Sequence, residues 1–457
     1  MMPVGATLSR WTMSYFGAAL FFLLLAEGLL SAGAWAPSAS VAEPHALIIV
    51  HCITIGWLGL LMIGALLQFT PVMTGLGLPT GRLDLPCLAG SVAGLGLLLF
   101  GFHLIDTGSG AAGPVMVAAS SVLPASLLSI GFVLLSGLWR GRAAHAASPL
   151  VMIGMACLVV TLALGALFAV TVSGLTEATG IIAFVANAVP FHASFGLAGW
   201  MSFAAIGVSY KLLPMFLLSD DMKRAPFIRA TGLLAAGTLA VAMVSTIFAP
   251  VLGQCFFLFG SLLFQLPVAA YLADLFSTYR ARRRKSLELN MAGSLPAFVL
   301  LGLSVPMLAI ALASDAAPKV FTAIGYLFVF GWLTGFGLSQ LLKIVPFLTW
   351  IEAFGPLLGR RPTPRLTELI NGRRATAWLC IFYLAVVAAA AAIALGSDAA
   401  FHLAAIVQTF STAALMIELA LARTLANVDP AAKSAPFQPP ALFSAANHRG
   451  NAHGSAS

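Results

Sequence analysis

Apolar residues fill this chain in long blocks separated by short polar or basic segments, and the blocks are apolar on every face rather than along one stripe. Runs of roughly 20 such residues are the length needed to cross a bilayer as a helix. The pattern predicts twelve of them, over residues 13–36, 45–71, 85–107, 114–139, 150–172, 182–214, 230–251, 254–279, 291–313, 318–348, 376–396 and 399–424. The expected fold class is therefore all-α, a polytopic membrane protein with residues 1–426 as one transmembrane domain. Residues 427–457, rich in Pro, Ala and Ser with little apolar periodicity, read as a disordered tail that carries His448 and His453.

The basic residues between the spans add an orientation. With the N-terminus inside, Arg10, Arg82, Arg140, Arg142, Lys223, Arg224, Arg229, the 280–285 cluster, Arg360, Arg361, Arg365, Arg373, Arg374, Arg423, Lys433 and Arg449 all fall on the inner side. Lys319 falls outside. Such asymmetry predicts both termini in the cytoplasm, in a bacterial-type inner membrane. The first span follows Arg10 and could be taken for a secretory signal, but its removal would break the charge parity of every later loop, so it reads as a helix.

An internal repeat divides the twelve spans. Gly56-Trp57 is followed by small Gly64, polar Gln68 and Pro71; Gly199-Trp200 is followed at the same offsets by Gly207, Lys211 and Pro214; Gly331-Trp332 by Ser339, Lys343 and Pro346. No other Gly-Trp pair occurs. The three segments, centred on 50–73, 192–216 and 324–348, fall on spans 2, 6 and 10, which run in the same direction. Three four-helix arcs about a pseudo-threefold axis are the expected arrangement. Each Pro is expected to end its helix, since it lacks an N–H and its ring clashes with the preceding turn.

Composition then narrows function. Only 8% of the 457 residues are charged while 60% are hydrophobic, against a charged share of about 25% in soluble domains. The net charge of +8 lies between spans and signals no nucleic acid. Five scattered cysteines, with no CxxC pair, read as packing residues. No phosphate loop, nucleotide fingerprint or hydrolase triad occurs.

Five histidines sit in or beside the spans at one depth, in the outer third: His45 and His51 on span 2, His103 on span 3, His192 on span 6 and His402 on span 12. Ionisable groups are costly in hydrocarbon and usually face a cavity, and imidazole is the common ligand for haem iron and copper. His45, His103 and His402 also suit a membrane interface. Glu27, mid-span, is a candidate proton relay or a neutral, hydrogen-bonded acid. Gln265, Gln340 and Gln408 read as interhelical hydrogen-bond groups, and Asp274 and Glu418 as partners for Lys211 and Lys343.

Twelve spans in three like-oriented arcs, with a histidine entering span 2 from the outer side, resemble subunit I of the haem-copper oxidase superfamily over residues 10–425. The stretches HCITIGWLGLLMIGALLQFTPV and HASFGLAGWMSFAAIGVSYKLLPMF look like those of its divergent, non-oxidase relatives. The segment GALLQFTPVMTG is also similar to NnrS-type haem and copper membrane proteins linked to nitric oxide stress. Working oxidases of the superfamily carry histidines on spans 2 and 6, two on span 7 and two on span 10. Span 7 here has none, span 10 offers Tyr326 instead, and Gly196 stands where the family has a tyrosine after the span 6 histidine.

The resemblance thus implies a haem-binding protein, for electron transfer or oxygen or nitric oxide chemistry, without conventional oxygen reduction at a binuclear centre. It implies haem b in the arc of spans 1, 2, 11 and 12, with His51 and His402 as ligands and His45 nearby, and electron-donor or oxidase-type partner subunits. A copper site from His192 with His103 or His45 is the alternative, in a copper or small-solute transporter. A non-redox assembly protein would carry neither metal.

Overall fold

The computed structural model describes residues 9–78, 82–433 and 440–444, and among these there is no β-strand. Residues 434–439 and 445–457, with His448, Arg449 and His453, lie outside the described residues. Twelve helices are long and apolar enough to cross a membrane: α1 (Thr12–Ser31), α2 (Pro44–Thr74), α3 (Asp84–Asp106), α4 (Ala112–Arg140), α5 (Ala147–Val172), α6 (Thr179–Leu217), α7 (Ala225–Phe248), α8 (Pro250–Arg280), α9 (Leu289–Ala313), α10 (Pro318–Leu357), α11 (Gly372–Leu395) and α12 (Asp398–Arg423). The chain is an all-α polytopic membrane protein.

The outer helices close into a ring at three like seams, α12 on α1, α4 on α5 and α8 on α9, while α2, α6 and α10 run inside it. Large apolar side chains such as Phe132, Phe248 and Phe410 point outward and stay exposed, as a lipid-facing belt requires. A soluble protein rarely leaves so much apolar surface uncovered.

The Gly-Trp repeat marks where each inner helix touches the helix before it. A Cβ on Gly56 would lie 2.5 Å from Phe22 Cβ on α1, one on Gly199 2.6 Å from Cys157 Cβ on α5, and one on Gly331 2.5 Å from Leu300 Cδ1 on α9. The small residue eight positions on continues each seam. Gly64 faces Tyr15 and Phe16 of α1, Gly207 faces Val151 of α5, and in the third unit the glycine has changed sides, so that Ser339 lies against Gly293 of α9. Without a hydrophobic drive between helices in lipid, such close approach of backbones is what holds them together.

At these seams the inner helices depart from α geometry. Residues Cys52–Gly59, Ser194–Met201 and Leu327–Thr334 are π-helical, each containing its Gly-Trp pair. At their ends the N–H groups of Leu60, Ser202 and Gly335 donate to carbonyls five residues back, on Ile55, Leu197 and Phe330. Segments of this kind are rare and concentrate at functional sites. The first and third begin four residues before the glycine and the second five, so the repeat extends to backbone hydrogen bonding with a shift of one residue in the middle unit.

The prolines do not end their helices as expected. Pro71, Pro214 and Pro346 all lie inside the helix. The first two helices stop three residues later, at left-handed Gly75 and Leu218, and the third continues to Phe354. The lost N–H costs less where neighbouring helices pack around the bend. α1 stops at Ser31, short of the expected 36, where Gly33 turns the chain with φ 81°.

Ion pairs gather at the arginine-rich end, and their partners differ from those expected. Asp274 accepts from Arg224 Nη1 at 2.6 Å, from the Arg224 backbone N–H and from Tyr210 Oη, both at 2.7 Å. Glu418 takes Arg374 at 2.7 Å. Lys343 pairs with Glu288 at 2.8 Å, beside Arg284. Arg423, almost fully buried, binds Glu352 at 2.7 Å and donates to the carbonyls of Ala441 and Ser444, which seats residues 440–444 of the tail against the bundle.

Candidate functional site

Two of the five histidines, His51 and His192, enter the bundle on its inner helices. Both lie on inner helices just ahead of a π segment, and each is half-buried. They stand within electrostatic reach of one another across the α2–α6 boundary. His51 Nδ1 sits 2.7 Å from the Leu47 carbonyl one turn back, which fixes the ring and turns Nε2 away from the backbone. Its ring lies beside Phe102 of α3, tilted by 38° at 5.2 Å between centroids.

His192 is held from α5. Its ring lies 5.2 Å from Phe168, and Gly165 leaves the room it occupies, since a Cβ there would stand 3.2 Å from His192 Cε1. Its Nδ1 is buried with no hydrogen-bond partner. A buried ring nitrogen left unpaired costs about 1–3 kcal/mol, which a bound ligand can recover. Phe102, Phe168 and Gly165 belong to this site, and nothing local in the sequence sets them apart, because each acts through a contact with a distant helix.

The other three histidines go elsewhere. His45 lies 3.6 Å from Asp106, with about half its side chain exposed. His103 is exposed and stacks on Phe100 of its own helix, at 6.4 Å. His402 Nε2 sits 3.3 Å from the Trp35 carbonyl, above Gly33 and beside Phe401. Among the described residues no group of three or more His, Cys, Asp or Glu side chains is placed to hold a metal ion.

Glu27 lies in a buried hydrogen-bonded chain across three helices. Tyr326 of α10 donates to Gln408 Oε1 at 2.7 Å, and Gln408 Nε2 of α12 donates to Glu27 Oε1 at 2.8 Å, while Glu27 Oε2 is buried without a partner. These side chains, with Phe401 and Trp35 packed beside them, fill the space between α1, α10 and α12. Gln265 and Gln340 also bridge helices, Gln265 to the Val305 carbonyl at 2.8 Å and Gln340 to Ser294 at 2.9 Å.

The arrangement does not fit a haem between His51 and His402. His51 packs beside Phe102 of α3, His402 reaches the Trp35 carbonyl past the end of α1, and the polar chain through Glu27 lies between α1, α10 and α12. His51 and His192, on different helices, carry imidazole nitrogens of the kind that suits copper. No family model matches the chain, and no curated protein matches it.

Proposed function

We propose that this protein is an integral membrane metal-handling protein that holds a copper ion between His51 of α2 and His192 of α6, on a scaffold resembling haem-copper oxidase subunit I. One observation carries this reading: two imidazoles approach each other from separate inner helices, one braced through Nδ1 by a carbonyl, the other with Nδ1 buried and unpaired. Bracing one ring nitrogen is how proteins aim the other at a metal. Copper bound there would supply one-electron chemistry or a relay point for transport of the ion. The residues' part is to orient the donors and, through Phe102 and Phe168, to keep the ion dry.

The basic loops support an orientation with both termini cytoplasmic and this pair towards the periplasmic face of a bacterial-type inner membrane. Metal analysis and an absorption spectrum of the same purified sample test the proposal. Copper near one equivalent, lost in His51→Ala and in His192→Ala but retained in His103→Ala, is the expected result. Iron with haem b absorption bands would return the function to the haem reading, and neither metal would point to an assembly role.

A further inference from the structure

The inner helices enclose a cavity of about 60 Å³ on the arginine-rich side of the tryptophans, away from the histidine pair. Its wall follows the repeat. In each of α2, α6 and α10 the residues one, five, eight and twelve positions past the tryptophan line it, beginning with Leu58, Met201 and Leu333. The space exists because later layers are small on one side: Ala65, Ala205 and Gly337 face bulkier neighbours and do not fill the gap.

Only two lining side chains can hydrogen-bond, and both are engaged elsewhere. Ser209 Oγ lies 2.9 Å from Tyr271 Oη and donates to the Ile206 carbonyl, while Gln340 is bound by Asn290 and Ser294. A water molecule needs two to four polar partners to remain in such a space, so this one is dry, although it has room for several water-sized spheres. Natural interiors seldom keep voids larger than a water, because the lining loses dispersion contacts. A pocket lined by equivalent positions of all three repeats is a built feature of the scaffold.

We propose that this cavity binds a small uncharged, apolar molecule, a dissolved gas that partitions into the bilayer and enters between the helices. The wall offers no group for a charge or a hydrogen bond, and the volume is too small for a sterol, an acyl chain or a macrocycle. This site is independent of the copper proposal, with which it shares no residue.

Crystals of the full chain pressurised with xenon provide the test, since xenon is apolar, spherical and visible by anomalous scattering. One xenon among Leu58, Met201 and Leu333 is expected. It should lose its occupancy in Ala205→Leu and, independently, in Ala65→Leu, either of which serves if the other fails to fold. No xenon at this place in the unsubstituted protein, ordered water or an acyl chain within the cavity, or a peak unchanged in both variants would overturn the proposal.

Discussion

The three Gly-Trp glycines occupy equivalent places yet should not tolerate alanine equally. At Gly56 the added methyl would meet Phe22 Cβ at 2.5 Å, an atom tied directly to the α1 backbone, so α1 and α2 must separate by about 1 Å to reach ordinary contact. Overpacking of this kind costs about 1–3 kcal/mol. At Gly331 the nearest atom is the Cδ1 tip of Leu300, which can rotate away, and Leu300 Cβ lies at a tolerable 3.3 Å. Alanine also recovers up to about 1 kcal/mol of helix propensity at either place. The net expectation is a loss of about 2 kcal/mol for Gly56→Ala and close to none for Gly331→Ala. Rates of loss of the monodisperse peak on heating in detergent would register this difference as roughly 30-fold, unfolding of such proteins being read as a half-life. Phe22→Ala should rescue Gly56→Ala poorly, because the colliding Cβ stays. Equal losses at the two glycines, or a larger one at Gly331, would refute the reasoning.

Trp57 Nε1 donates to Thr334 Oγ1 at 2.9 Å and so ties α2 to α10; Thr334→Val leaves that buried N–H unpaired and should cost about 1–3 kcal/mol in the same assay. Arg224→Ala removes the charged partner of buried Asp274 and should cost about 2 kcal/mol, less than a wholly buried pair because Arg224 is itself half exposed. Burial, and secondarily Lys211, hold His145 below the usual histidine range, with Asp221 acting the other way. The folded chain then binds fewer protons than the unfolded one, so this contribution is full above the unfolded value of about 6.5 and is lost as pH falls through it. His145→Gln should therefore flatten the fall in thermal stability below that pH, and an unchanged pH profile would contradict this.

The spans and their triplication are legible in the chain because both are local: an apolar run announces a helix, and a rare dipeptide at fixed distance from a proline announces a repeat. What the sequence hides is nonlocal or a matter of hydrogen-bond register. Depth along the spans points Asp274 to the lysines, yet Arg224 reaches it from the loop before α7 while Tyr210 approaches from α6. The π segments are hidden because the same residues could form an α-helix, and they mislead any helical-phase comparison of His51 with His192. Each histidine is separated from its tryptophan by a stretch with more residues per turn than an α-helix.

The triplicated scaffold repeats its seams but fills its interior differently in each unit, and that contrast locates function. Glu27 with Gln408 and Tyr326, Asp274 with Tyr210, and Gln340 with Asn290 and Ser294 are unlike groups that hydrogen-bond one another and so join helices. Two imidazoles gain little from each other in this way, and His192 leaves a buried nitrogen unpaired. A group that weakens the fold where it sits is held there for its chemistry. His192→Leu should consequently leave the unfolding half-life in metal-free detergent unchanged or lengthen it, since an apolar side chain between Phe168 and Gly165 removes the buried, unpaired Nδ1. A half-life shortened as far as that of Gly56→Ala would mean that the imidazole is structural, and the pair would lose its claim to be a site.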